Sequence, residues 1–177
     1  MSETPAPLVL IERRGRIGQL TLNRPAGLNA LNLHMVRMLH QQLEAWERDP
    51  QVEAVVLRGA GERAFCAGGD IRHMYDSYLA GRSHEPETFF SEEYDLDAYI
   101  HAYSKPILAL MDGFVLGGGM GLAQGASIRL LTERSRLGMP ETGIGYFPDV
   151  GGSYFLSRLP GQLGMYLGIT GNHIGSS

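Results

Sequence analysis

The hydrophobic period of this chain changes several times, and each change marks a predicted element. Residues 8–11 and 17–22 are apolar, partly β-branched runs on either side of Arg13-Arg14-Gly15, the pattern of a β-hairpin. From Asn32 the period lengthens to that of a helix. Val36, Leu39, Leu43 and Trp46 share one face, Asn32 suits the N-cap, and Asp49-Pro50 ends the run near Arg48. Residues 52–57 read as a buried strand that leaves into Gly59-Ala60-Gly61. Asp70 opens a helical stretch to about Leu79, and residues 88–103 form a second helix after the polar break Gly81-Arg82-Ser83-His84. Residues 107–111 and 128–131 are strands. Between them Gly117-Gly118-Gly119 leads into a short helix near residues 121–125. From Gly151 the chain reads as helical in two pieces, broken at Pro160-Gly161. Strands interleaved with helices predict a mixed α/β fold, and the lack of repeats or linkers predicts one domain over residues 1–177.

Composition changes the picture in one respect. There are 24 glycines among 177 residues, nearly double the usual share of roughly 7%. They gather at 59–61, 68–69, 117–121 and 143–152, so they mark built loops. A net charge of −4 offers no surface for nucleic acid. The lone Cys66 excludes an internal disulfide and points to a reducing compartment. Residues 1–7 show neither the basic nor the apolar region of a signal peptide, and no apolar run approaches the roughly 20 residues of a membrane span. The expectation is a cytoplasmic protein with no membrane partner.

Several motifs fail their structural context. Gly59-Ala60-Gly61-Glu62-Arg63-Ala64 follows a strand but opens no helix to hold a pyrophosphate. The six histidines show no metal-ligand spacing, and none is placed to activate Cys66, which reads as a buried thiol. Two other segments carry more weight. Phe65-Cys66-Ala67-Gly68-Gly69-Asp70 and Leu116-Gly117-Gly118-Gly119-Met120-Gly121 each sit where a strand gives way to a helix. Such loops present unpaired N–H groups, and two of them aimed at one carbonyl oxygen make an oxyanion hole. They are also readable as tight turns that merely need glycine. A third segment, residues 139–152, sets Glu141 and Asp149 among apolar residues and glycines. Desolvation there would raise a carboxyl pKa toward acid–base work, whereas a surface turn would leave both acids solvated. Glu92-Glu93-Tyr94 adds further acids.

Taken in order, Leu22-Asn23-Arg24-Pro25 with Asn29-Ala30-Leu31, Phe65-Cys66-Ala67-Gly68-Gly69-Asp70, Gly117-Gly118-Gly119 and Pro140-Glu141 resemble the crotonase (enoyl-CoA hydratase/isomerase) superfamily over nearly the whole chain. The resemblance implies a spiral of ββα units, with the family's C-terminal helical part lacking. It implies an acyl-CoA thioester as the small-molecule partner, no cofactor beyond the coenzyme A carried by the substrate, and room for a homo-oligomer. It implies that the Gly69 and Gly118 amides hold the thioester oxygen, with Ala67, Gly68, Asp70 and Gly117 lining the substrate. Hydratases of this family carry two catalytic glutamates, and at the first of those positions this chain has Gly121. Its Glu93-Tyr94, Met139-Pro140-Glu141-Thr142 and Phe147-Pro148-Asp149-Val150-Gly151-Gly152 instead resemble the 3-hydroxyisobutyryl-CoA hydrolase group. That implies Glu141 and Asp149 as catalytic acids, Glu93 in contact with substrate, and hydrolysis of a short 3-hydroxyacyl-CoA. Whether Glu141 attacks directly or activates water stays open, and the alternatives are an enoyl-CoA hydratase/isomerase or a non-catalytic acyl-CoA-binding subunit.

Overall fold

The computed structural model describes residues 6–176, so most of the N-terminal stretch read for a leader lies outside the described residues. β1 (Val9–Arg14) and β2 (Ile17–Leu22) form the expected hairpin, turned at Gly15 in the left-handed region. β2 pairs in parallel with β3 (Ala54–Gly59), β3 with β5 (Ile107–Met111), and β5 with β7 (Ile128–Leu131). The result is a five-stranded sheet in the order β1-β2-β3-β5-β7.

A second sheet runs β4 (Ala64–Cys66), β6 (Phe114–Leu116), β8 (Arg136–Gly138) and β9 (His173–Gly175). The strand pairs β3/β4, β5/β6 and β7/β8 each send one strand to each sheet, and this repetition is the ββ part of the expected spiral. The segment 64–66, expected as loop, is therefore a strand. Three residues are too few to show an alternating pattern, and their ladder partner Phe114 lies some fifty residues away. The strand expected at 52–57 begins two residues later, because Val52 N–H closes a turn onto Asp49 O at 3.1 Å.

α1 (Leu33–Arg48) starts where Asn32 accepts a hydrogen bond from Met35 N–H at 2.9 Å, and buries Met35, Val36, Leu39, Leu43 and Trp46. The ring of Trp46 lies 2.6 Å from where a Cβ on Gly18 would stand, so the glycine lets helix and sheet close together. α2 (Ile71–Leu79) is capped by Asp70. α3 (His84–His101) begins four residues earlier than the apolar pattern suggests, since its first turn is polar and half exposed. α4 (Gly118–Gly125) starts inside the glycine run rather than after it, while α5 (Gly152–Leu156) and α6 (Leu163–Thr170) are the two expected C-terminal pieces.

Asn29 holds the first hairpin to the second sheet. It is fully buried with φ +56°, a conformation that asparagine tolerates better than most residues. Its side chain accepts from Arg24 N–H at 2.9 Å and donates to Ala60 O and Ala64 O at 2.9 and 2.8 Å. Asn29→Ala leaves two carbonyls without that donor, at about 1–3 kcal/mol for each one left buried and unpaired. The expected loss of at least about 2 kcal/mol is measurable by urea unfolding, and a midpoint within error of wild type contradicts this role.

Candidate active site

The two glycine loops meet. Leu31 N–H donates to Gly68 O and Asp70 N–H to Leu31 O, both at 2.8 Å, and Ala67 N–H donates to Leu28 O at 3.1 Å. These bonds strap residues 67–70 to residues 28–31 and leave the Gly69 N–H unused by the strap. Gly117, with φ +50°, turns the chain from β6 into α4, so the Gly118 N–H opens a helix and has no intrahelical acceptor. A Cβ on Gly118 would stand 3.5 Å from Gly69 N, and one on Gly68 would stand 3.4 Å from Gly118 N. Two unengaged amides, one carrying the positive end of a helix dipole, thus lie side by side.

Carboxyl groups border this point. Glu141 lies in a 3-10 turn that follows β8; it is 7% exposed, Oε1 lies 2.7 Å from where a Cβ on Gly117 would be, and Oε2 has no partner. Burial raises its pKa to about 7, with the Asp149 charge adding to the rise. Glu93, on α3, is 2% exposed, and its Oε1 is unpartnered and in the path of any side chain at Gly118. Burial pushes it up to about 8, helped by the charges of Asp149 and Glu141. Asp149 is half-buried and accepts the Tyr94 hydroxyl at 2.6 Å, while Tyr146 lies 3.4 Å from the same hydroxyl. Burial, and then the bond to Asp149, raises the Tyr94 pKa. Phe90 stacks on Tyr146 at 5.8 Å, closing the aromatic side of the cluster.

The other expected residues are built into the fold around this point. Asp70 uses its carboxylate within the fold, accepting His73 N–H as the cap of α2 and pairing with Arg24 at 2.8 Å. Ala67 has its N–H engaged by Leu28. Gly68, with φ +98°, and Gly117 shape the two loops. Cys66 is buried, and desolvation pushes its thiol up to about 12, so it stays protonated and inert. Sequence reasoning missed Asp97, one helical turn after Glu93. Its only sequence signal was that i, i+4 spacing, which solvated acids on a helix surface show equally. Both of its carboxylate oxygens are buried without a partner, and burial, then Glu93 and Asp149, drives its pKa well up. A cavity of about 1170 Å³ opens beside Asp97, Gly121, Asp149 and Val150; Glu93, Glu141, Gly69 and Gly118 lie outside its lining.

The raised carboxyls tie stability to pH. Unfolded, Glu93 releases its proton near the ordinary 4.5; folded, it holds that proton to about 8. Between those values the folded chain binds more protons, so stability is greatest at the acid end and falls as pH rises from about 5 to 8. Glu141 acts in the same direction up to about 7. Glu93→Gln should flatten the fall in Tm over this range by several degrees, at about 2–4 °C per kcal/mol for a chain of this size. A mutant whose Tm declines as steeply as wild type shows that Glu93 is not the source.

Comparison with known proteins agrees with this architecture. The family model described as enoyl-CoA hydratase/isomerase matches residues 17–177. Among curated proteins the chain is 49% identical to "3-hydroxyisobutyryl-CoA hydrolase, mitochondrial" of Danio rerio, covering 97% of this chain and 44% of that protein. It is 52% identical to the protein of the same name in Rattus norvegicus, over 92% and 42%. The chain therefore spans less than half the length of these relatives. The solved structures include an enoyl-CoA hydratase from Rhodobacter sphaeroides, with TM-score 0.91, 46% identity and coverage of 96% of this chain and 50% of that one. They also include a carnitinyl-CoA dehydratase from Mycobacterium thermoresistibile, with TM-score 0.92, 45% identity and the same coverage. The word mitochondrial in the relatives' names overturns the cytoplasmic expectation, since a lone cysteine reports on redox conditions and does not separate one reducing compartment from another. With its fold, its paired glycine loops and these matches in accord, the chain belongs to the enoyl-CoA hydratase/isomerase family.

Proposed function

We infer that this chain carries the catalytic loops of an acyl-CoA thioester hydrolase whose substrate is a short 3-hydroxyacyl-CoA, 3-hydroxyisobutyryl-CoA above all. The observation that carries this reading is the meeting of the Gly69 and Gly118 amides beside Glu141, a buried acid whose pKa is about 7. The names of the curated relatives support the choice of substrate.

In this mechanism the thioester carbonyl oxygen accepts hydrogen bonds from both amides. Attack on the acyl carbon turns that oxygen into an oxyanion, and the amides stabilise the charge as it forms. Glu141, its pKa raised toward neutrality by burial, drives the attack. It takes a proton from water as the new C–O bond forms, or it bonds the acyl carbon itself to give a mixed anhydride that water then opens. Collapse breaks the C–S bond, and the departing thiolate takes up the proton that the attacking water gives up, with Glu141 as its carrier. Asp149, held by Tyr94, positions the water. Glu93, largely protonated at neutral pH, offers an O–H to the acyl group lying along Gly118. Trapping with hydroxylamine distinguishes the two routes, because only the anhydride yields a hydroxamate on Glu141.

The solved relatives named as a hydratase and a dehydratase favour a second reading, in which the same amides polarise an enoyl thioester. Release of free thiol from 3-hydroxyisobutyryl-CoA, by this chain and by a longer form matching its relatives, supports the hydrolase. Loss of an enoyl double bond without thiol replaces it.

Glu141→Ala and Asp149→Ala should each lower thiol release by about 10²-fold or more, the scale of a lost general base. Near-normal turnover by either variant removes that residue from the mechanism. Tyr94→Phe, which deletes the 2.6 Å bond to Asp149 and the weaker 3.4 Å contact with the Tyr146 hydroxyl, should reduce kcat about tenfold with little change in KM, as the loss of about 1.4 kcal/mol would. A change confined to KM would place Tyr94 in substrate binding instead.

A further inference from the structure

Helices α3 and α4 pack acid against glycine. Glu93 and Asp97 stand one turn apart on α3, and Gly118 and Gly121 stand one turn apart on α4. Glu93 Oε1 fills the space a side chain at 118 would need, and Asp97 Oδ2 lies 2.5 Å from where a Cβ on Gly121 would be. Val150 closes the same space from the other side, its Cβ 2.7 Å from that point. Gly121 is therefore bare because a carboxyl from α3 and a valine from the 146–150 loop already occupy its surroundings.

The Asp97 carboxyl has no visible occupation. Both oxygens are shut off from water and neither has a hydrogen-bond partner, although the residue borders the cavity next to Gly121, Asp149 and Val150. A buried polar group without a partner costs about 1–3 kcal/mol, so an unused one at a cavity wall calls for a ligand atom. No Lys or Arg forms an ion pair with it among the described residues, while Glu93 and Asp149 face it. Those surroundings favour the neutral acid, which presents one O–H donor and one acceptor oxygen. An alcohol has the complementary pair of functions on a single oxygen.

Position along α4 selects which alcohol. Resting on the thioesterase reading, the acyl carbonyl sits at Gly118, and Gly121 lies about 4.5 Å farther along the helix at 1.5 Å per residue. A hydroxyl on the third carbon is three bonds from the thioester carbon, which puts it within hydrogen-bond reach of a carboxyl above Gly121. We propose that Asp97 is the specificity-determining residue that reads the substrate's 3-hydroxyl group, exchanging hydrogen bonds with it at the cavity wall beside Gly121. An acyl chain lacking the hydroxyl leaves those oxygens buried and unpaired, and sites built to bond a hydroxyl reject such analogues strongly for that reason.

The test compares 3-hydroxyisobutyryl-CoA with isobutyryl-CoA, which keeps the branched skeleton and lacks only the hydroxyl. Wild type should favour the hydroxylated thioester in kcat/KM by at least about hundredfold. Asp97→Leu should bring that ratio to within about fivefold of unity by losing activity on the hydroxylated substrate alone, while Asp97→Asn, which retains a donor and an acceptor, keeps most of the preference. Asp97→Ala stands in if the leucine variant does not fold. Equal loss on both thioesters means that Asp97 serves only the packing of α3 on α4, and an unchanged ratio in the leucine or alanine variant means that another group reads the hydroxyl; either result overturns the proposal. Calorimetric binding of the two non-hydrolysable thioether analogues separates this assignment from the hydrolase reading. A preference for the hydroxylated analogue that Asp97→Leu abolishes upholds Asp97 even where no thiol is released. Equal binding of both analogues to wild type refutes Asp97, whatever the turnover.

Discussion

The backbone strap between residues 28–31 and 67–70 is the constraint on which the site depends. Catalytic use of a main-chain amide demands a fixed direction, and a glycine loop on its own has none to offer. Here the loop is held by three backbone hydrogen bonds to Leu28 and Leu31, and the strap is itself held by the buried Asn29 side chain and by Arg24, which reaches both Ala30 O and Asp70. The outcome is that the amides of Ala67 and Asp70 and the carbonyl of Gly68 are engaged by the strap, while the Gly69 N–H between them is not. Asp70 takes part in the same system as a cap and ion-pair partner.

The second organising feature is the fit of acids against glycines. Gly117, Gly118 and Gly121 lack side chains where carboxyls of Glu141, Glu93 and Asp97 approach. Each close approach excludes water from the acid, and it is this exclusion, more than the neighbouring charges, that lifts the three pKa values. Packing and chemistry are therefore one feature. The glycines that allow α4 to lie flat on α3 are also the reason the acids hold their protons near neutral pH. The destabilisation that follows at higher pH is the cost of poising them there.

Much of the framework was legible along the chain. α1 announces itself through Asn32 and its apolar stripe, the first hairpin through two apolar, partly β-branched runs around Arg13-Arg14-Gly15, and the two glycine segments through composition alone. These signals are local, because a cap, a helical stripe or a tight turn is specified by residues within a few positions of each other. The short second sheet was not legible. β4, β6, β8 and β9 have three residues each, and only pairing across long separations makes them strands.

The same division holds at the site. By itself the sequence determined that glycine-rich junctions and the acids Glu93, Glu141 and Asp149 are present, and in the family's order. Only the tertiary structure decided that Gly69 and Gly118 are neighbours, that Tyr94 holds Asp149, and that Asp97 is a buried acid rather than one more charge on a helix surface. Residue type and spacing record what a side chain is able to do. Its protonation state and its partners depend on which distant segment removes it from water, and that is a property of packing.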